Sequence, residues 1–252
     1  MASAILLAAL ALVPAGGQAE LLPDLISALP TRLAVEQAGK RQLLVFASAA
    51  ENVGDGPLIV DGKRPDRAKL RMTVSQVVRT ADGRTVRYAV PDRIRYVVSE
   101  THQHWHLEDF ARYRLLSSGN ETLPGKRDHK TGFCLGDRYR SIGASRLPGA
   151  PDSAVYTSDC GLRSRQLLGL REGISVGYGD DYLPAKEGQS IDITGLKSGT
   201  YVLVHEANPN RSLRETDYTN NGYAMRIALQ RTGSGYDVKV LSRCRGETTC
   251  PA

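Results

Sequence analysis

Lys69-Leu-Arg-Met-Thr-Val-Ser-Gln-Val-Val-Arg-Thr80-Ala-Asp82-Gly83-Arg84-Thr-Val-Arg-Tyr-Ala-Val90 is the stretch that decides the fold class. Leu70, Met72, Val74 and Val78 fall two or four residues apart. That is the period of a strand whose alternate side chains share one face. Asp82-Gly83 then supplies a tight turn, because glycine enters positive φ without a Cβ clash. Residues 69–80 and 84–90 are therefore predicted to form a β-hairpin.

Working outward, the same signals recur. Residues 42–48 are β-rich and end at Glu51-Asn-Val-Gly-Asp-Gly-Pro57, a turn segment. Residues 93–106 read as one strand and 111–116 as another. Residues 190–194 lead through Gly195 into 201–205, and 224–230 pair with 236–241 across Gly233-Ser-Gly235. Short helix is expected only at 166–170 and around 25–29, and residues 117–159 read as a long irregular loop. The expected fold is all-β, an antiparallel β-sandwich-like single domain with long irregular loops.

The chain has 252 residues, 41% hydrophobic and 24% charged. Collagen, coiled coil and wholesale disorder are excluded by that composition. Its net charge of +6 comes from basic residues spread along the chain. Spread charge favours acidic surfaces generally and does not point to nucleic acid. Residues 1–19, MASAILLAALALVPAGGQA, carry no charged side chain. Their apolar run of roughly 12 residues is too short to span a bilayer, which needs about 20. Pro14, Gly16 and Gly17 follow, and Gly17-Gln-Ala19 is a small-x-small cleavage pattern, so 1–19 read as a secretory signal peptide and 20–252 as the exported domain. The expected location is extracellular, with no membrane span. Cys134, Cys160, Cys244 and Cys250 permit three pairings, of which nearest-neighbour pairing is the expectation.

Three of the five histidines stand at His102, His104 and His106. On a strand they project to one face about 6.6 Å apart. Three aligned imidazoles repel when protonated and bury little apolar surface, so a metal ion that gathers their nitrogens explains them best. Neutral imidazole suits copper, zinc, iron and nickel, and no adjacent fourth ligand closes the site. A polar strand face is the structural alternative.

His102-Gln-His-Trp-His-Leu-Glu-Asp-Phe110-Ala-Arg-Tyr113 resembles the copper-binding segment of the lysyl oxidase family. Further matches follow in the family's order: residues 52–58 before it, then His129-Lys130-Thr-Gly-Phe-Cys134-Leu, Gly173-Ile-Ser-Val-Gly-Tyr-Gly-Asp180-Asp-Tyr182, Gln189-Ser-Ile-Asp-Ile-Thr194 and Glu215-Thr-Asp217-Tyr-Thr-Asn220-Asn221. The resemblance implies a β-sandwich-like catalytic domain. It also implies an oxidase that converts primary amines, peptidyl lysine among them, to aldehydes with molecular oxygen, releasing ammonia and hydrogen peroxide. It makes His102, His104 and His106 copper ligands, and Lys130 and Tyr182 the precursors of a lysine tyrosylquinone. Tyr182 fits the family's spacing to Ile191-Asp-Ile-Thr194, whereas Tyr178 needs a four-residue insertion. Asp180 takes the place of the general base. Asp24, the Leu25 carbonyl, Glu215, Asp217, Asn220 and Asn221 match a structural calcium site of some members, with the hard oxygen donors that calcium prefers.

Animal members carry an extra Trp, His and Cys where this chain has Val97-Val-Ser-Glu-Thr101, and they have more disulfides. The chain thus resembles a minimal, microbial-type member, whose substrate need not be collagen or elastin. A non-catalytic copper-binding extracellular β-sandwich is the alternative function.

Overall fold

The computed structural model describes residues 19–99, 103–125, 128–184, 188–233 and 235–251. The expected signal segment, apart from Ala19, lies outside the described residues. In chain order the strands are β1 (Glu20–Leu21), β2 (Leu25–Ala38), β3 (Arg41–Asn52), β4 (Leu58–Lys63) and β5 (Arg71–Thr80). Then come β6 (Thr85–Val98), β7 (Gln103–Ser117), β8 (Asp128–Phe133), β9 (Tyr139–Arg140) and β10 (Gly169–Ile174). The last five are β11 (Tyr178–Tyr182), β12 (Ser190–Asp192), β13 (Gly199–Ala207), β14 (Gly222–Thr232) and β15 (Gly235–Arg245). The fold is all-β, and every strand pair is antiparallel.

A large sheet runs β10-β4-β5-β6-β7-β13-β14-β15, with β1 added to β5 and β8 to β7; a smaller one runs β12-β3-β11-β9, with β2 added to β3. Leu44, Phe46 and Ile191 of the small sheet share one core with Met72, Ile94, Leu203 and Met225 of the large one. Burying a large apolar side chain is worth about 1.5–3 kcal/mol, so this shared core is what holds the sheets together. The predicted hairpin is β5–β6, closed by a turn at Gly83, where φ is 85°. Met72, Val74 and Val78 are buried as expected, but Leu70 is exposed and precedes the strand.

Several expectations are corrected. Residues 93–106 are not one strand but the end of β6 and the start of β7. The segment 25–29 is the start of β2, not helix, and 166–170 is turn leading into β10. The loop 117–159 carries β8, β9 and a short 3₁₀ turn at Ala144–Arg146. Both nearest-neighbour disulfides are present, Cys134–Cys160 and Cys244–Cys250. The first spans 26 residues of sequence, and closing a loop of that size is worth about 3 kcal/mol.

Candidate active site

Strand β7 builds the centre of the site. Its first half pairs with β6, placing His104 opposite Val97 and His106 opposite Arg95. Between them Trp105 points the other way into full burial, edge-on to Tyr96 and under the guanidinium of Arg64, 4.7 Å from the ring centroid. The register with β8 shifts between Leu107 and Ala111, and there Asp109 adopts φ 57°. Such a bulge re-aims the strand. It ends the histidine alternation and sends Phe110 into the core against Phe133, with ring centroids 5.2 Å apart.

The rings of His104 and His106 lie 4.7 Å apart, closer than the about 6.6 Å between alternate strand positions, so the two side chains lean together. Two converging imidazoles fit a borderline metal such as copper. His102 lies outside the described residues.

Tyr182 comes from the other sheet. It ends β11, opposite Ser48 of β3, and its ring packs 4.2 Å from Phe133 and 6.3 Å from His106. Its hydroxyl accepts a hydrogen bond of 2.8 Å from the Cys134 amide. Burial, then the neighbouring Asp180 carboxyl, push the phenol pKa well up. Asp180 is two residues earlier and thus on the same face of β11. It is fully buried, which pushes its pKa well up, while Arg138 Nε at 3.6 Å opposes that shift. Lys130 stands in β8 opposite Arg112, and its side chain lies outside what is described. Gly132, two residues on, allows this strand to close on the histidines. A Cβ there would meet the Leu107 carbonyl at 2.9 Å and the His106 Cβ at 3.2 Å.

The oxygen-rich set gathers at the C-terminal end of β3, where Leu25 of β2 pairs with Asn52. Glu215 accepts from the Leu25 amide at 2.7 Å, from Asn221 at 2.8 Å and from Asn208. Asp24 accepts from Asn220 at 2.9 Å. Asp217 acts on Asp24 through its charge, while its carboxylate holds Thr219. Burial pushes the Glu215 pKa up to about 7. Leu25 thus engages Glu215 through its N–H, whereas the expected ligand is its carbonyl. Glu215 is buried and Asp24 and Asp217 are half-buried, and carboxylate oxygens gathered this way suit a hard cation.

A sequence model of the lysyl oxidase family matches residues 60–240. The chain belongs to the lysyl oxidase family. It is 31% identical over 147 residues to human protein-lysine 6-oxidase, covering 57% of this chain and 30% of that protein. The pig protein of the same name matches equally over 147 residues, 57% of this chain and 51% of the relative. Lysyl oxidase homolog 2A of Danio rerio is 35% identical over 124 residues, 48% of this chain and 14% of the relative. The chain therefore spans at most about half the length of these curated relatives.

Sequence reading missed two buried groups of this region. One is the amide of Cys134 at the Tyr182 hydroxyl, which needs coordinates to find. The other is Glu172, a fully buried carboxyl whose surroundings in sequence, Leu170-Arg-Glu-Gly173, look like solvated strand.

Proposed function

We propose that this chain is a secreted copper-dependent primary-amine oxidase acting on amines such as protein lysine side chains. One amine, one oxygen molecule and one water give one aldehyde, one ammonia and one hydrogen peroxide. His102, His104 and His106 would hold copper, and Lys130 and Tyr182 would furnish the lysine tyrosylquinone. That cofactor supplies an electrophilic carbonyl and two-electron redox chemistry, and copper supplies electron exchange with oxygen.

The chain's own residues do the rest. Asp180 holds or takes a proton at its carboxylate, and its burial makes the ionised form a stronger base than a surface aspartate. Phe133 and His106 fix the Tyr182 ring, and the Cys134 amide fixes its oxygen. Asp24, Leu25, Glu215, Asp217, Asn220 and Asn221 would bind calcium and tie the start of the domain to its last third. Secretion is supported by two formed disulfides, and among the described residues no helix is long and apolar enough to cross a membrane.

The observation that carries this reading is the Tyr182 ring 6.3 Å from that of His106, although the two residues come from different sheets. Peroxide release from a panel of primary amines tests it, repeated after treatment with a carbonyl-trapping hydrazine. Turnover abolished by the hydrazine is expected. Turnover indifferent to it rejects quinone catalysis, and copper-replete protein with no turnover favours a non-catalytic copper-binding β-sandwich.

A further inference from the structure

Arg64 is a buried cation, 6% exposed, that follows β4 directly. Among the described residues its guanidinium bonds backbone carbonyls: Leu167 at 2.7 Å, Arg165 at 2.6 Å, Arg67 at 3.3 Å and Lys69. It also lies 4.7 Å from the centroid of the Trp105 ring. Burying a charge is costly, so a cation placed this way calls for a reason. The amine chemistry proposed above does not use it.

What Arg64 holds is the segment 160–167, which covers the edge of the histidine segment opposite β6. The Trp105 amide donates to the Cys160 carbonyl at 3.0 Å, and the Arg163 amide donates to the Gln103 carbonyl at 2.7 Å. The segment is no regular strand, since Cys160, Gly161 and Arg163 have φ of 42°, 63° and 57°. Left-handed backbone at its two non-glycine residues persists only where the surroundings over-determine it. Three restraints do so. Cys160 is tied to Cys134 by a disulfide, and the Ser164 carbonyl accepts from the Trp105 indole N–H at 3.2 Å. The third is the Arg64 fork on the Arg165 and Leu167 carbonyls. Packing here is close, because a Cβ on Gly161 would meet Leu167 Cδ1 at 2.5 Å and Trp105 Cδ1 at 3.1 Å.

Trp105 stands between His104 and His106 and points to the opposite face of β7. The seat of its ring therefore sets the roll of the strand, and with it the direction of the two imidazoles, whose rings converge to 4.7 Å. The same segment reaches the tyrosine as well. Cys134, its disulfide partner, gives its own amide to the Tyr182 hydroxyl. We infer that Arg64 is a positioning residue for the copper ligands: it pins segment 160–167 onto Trp105, and the pinned ring holds His104 and His106 in convergence. This rests on the reading of those histidines as ligands. Lysine cannot substitute, because an ammonium lacks the planar fork that reaches several carbonyls while stacking on a ring.

Trp105 is the chain's single tryptophan, so its fluorescence reports the pin in the metal-free full chain. Arg64→Met should make the indole more accessible to acrylamide quenching. Copper(II) affinity, measured by competition with a chelator, should fall at least about tenfold, as on losing an outer-shell support, and the copper EPR spectrum should change. Electrostatics alone predicts the opposite sign, since removing a cation favours binding of another. Arg64→Lys should show the same losses although it keeps the charge, and it carries the test if Arg64→Met does not fold. Arg226→Met is the control for lost stability. Arg226 is also buried and bonded to carbonyls, those of Ser118 and Cys250 at 3.0 Å, so its loss should lower Tm and leave indole and copper unchanged. Wild-type copper affinity in the Arg64 variants, an indole no more accessible, or an equal copper loss in Arg226→Met overturns the inference. Copper binding indifferent to His104→Ala would instead sink the ligand reading, and the positioning role with it.

Discussion

Tyr182→Phe separates the two jobs assigned to one side chain. The substitution keeps the ring against Phe133 at 4.2 Å and His106 at 6.3 Å, and removes only the hydroxyl. That hydroxyl accepts the Cys134 N–H in a buried setting. A buried donor left without an acceptor costs about 1–3 kcal/mol, partly offset because no phenol oxygen has to be desolvated. A net loss of about 1–2 kcal/mol corresponds to a drop in Tm of roughly 2–8 °C for a domain of this size. Amine turnover should vanish altogether, which so small a loss of stability cannot explain. Tyr113→Phe is the control. Its hydroxyl is also buried and bonded, to Ser48 at 2.6 Å and Gln189 at 3.0 Å, so it should lose comparable stability and keep turnover. The assay is peroxide release alongside thermal unfolding by circular dichroism. Turnover by Tyr182→Phe at the wild-type rate would refute the assignment of the ring, whatever the Tm.

Three further outcomes are expected. His104→Ala should lose both copper and turnover, because two strand imidazoles hold the ion poorly against competitors; metal analysis still giving one copper per chain would show that the ligand set is wrong. Calcium should raise the Tm of chelator-treated protein, by an amount equivalent to about 2.7 kcal/mol at a hundredfold excess over Kd, and Glu215→Gln should abolish the increment; equal shifts in both proteins would place calcium elsewhere. Burial holds the His205 pKa down at about 3, against an ordinary 6.5, so below pH 6.5 the unfolded chain takes up a proton that the folded one refuses. Stability should therefore fall as pH drops from 6.5 towards 3, by up to about 4 kcal/mol from this residue, and His205→Gln should flatten that limb in acid unfolding curves; an unchanged limb would contradict the burial argument.

Strands whose alternation survives in sequence were legible. The β5–β6 hairpin shows Met72, Val74 and Val78 on one side and an Asp-Gly turn, and the β14–β15 pairing has the same character. Strand β2 was not legible. Its sequence, Leu-Ile-Ser-Ala-Leu-Pro-Thr-Arg-Leu-Ala-Val-Glu-Gln-Ala, is rich in helix formers, and its pairing with β3 shifts register between Ala28 and Thr31 and again before Ala34. Pro30 and an Arg32 at φ 51° sit in those irregularities, so pairing with a buried neighbour overrides local propensity. Strand β8 is polar and lies inside what reads as loop, because it is an added strand held by one partner, β7.

The site divides in the same way. The histidine run announces itself by period two. Tyr182, Lys130 and Asp180 carry no local signal and were singled out only through resemblance, because the approach of Tyr182 to His106 depends on two strands from different sheets, β11 and β7. Glu172 was missed on both routes. A lone glutamate beside Arg171 looks solvated until β10 is seen to bury one face completely.

The central claim is that this chain builds its own redox cofactor from a strand lysine and a buried tyrosine. Peptide mapping by mass spectrometry of the copper-loaded, aerated protein tests that most directly. A covalently linked pair of peptides containing Lys130 and Tyr182 is expected, absent when copper is withheld. Recovery of both peptides separate and unmodified from copper-replete protein would contradict it.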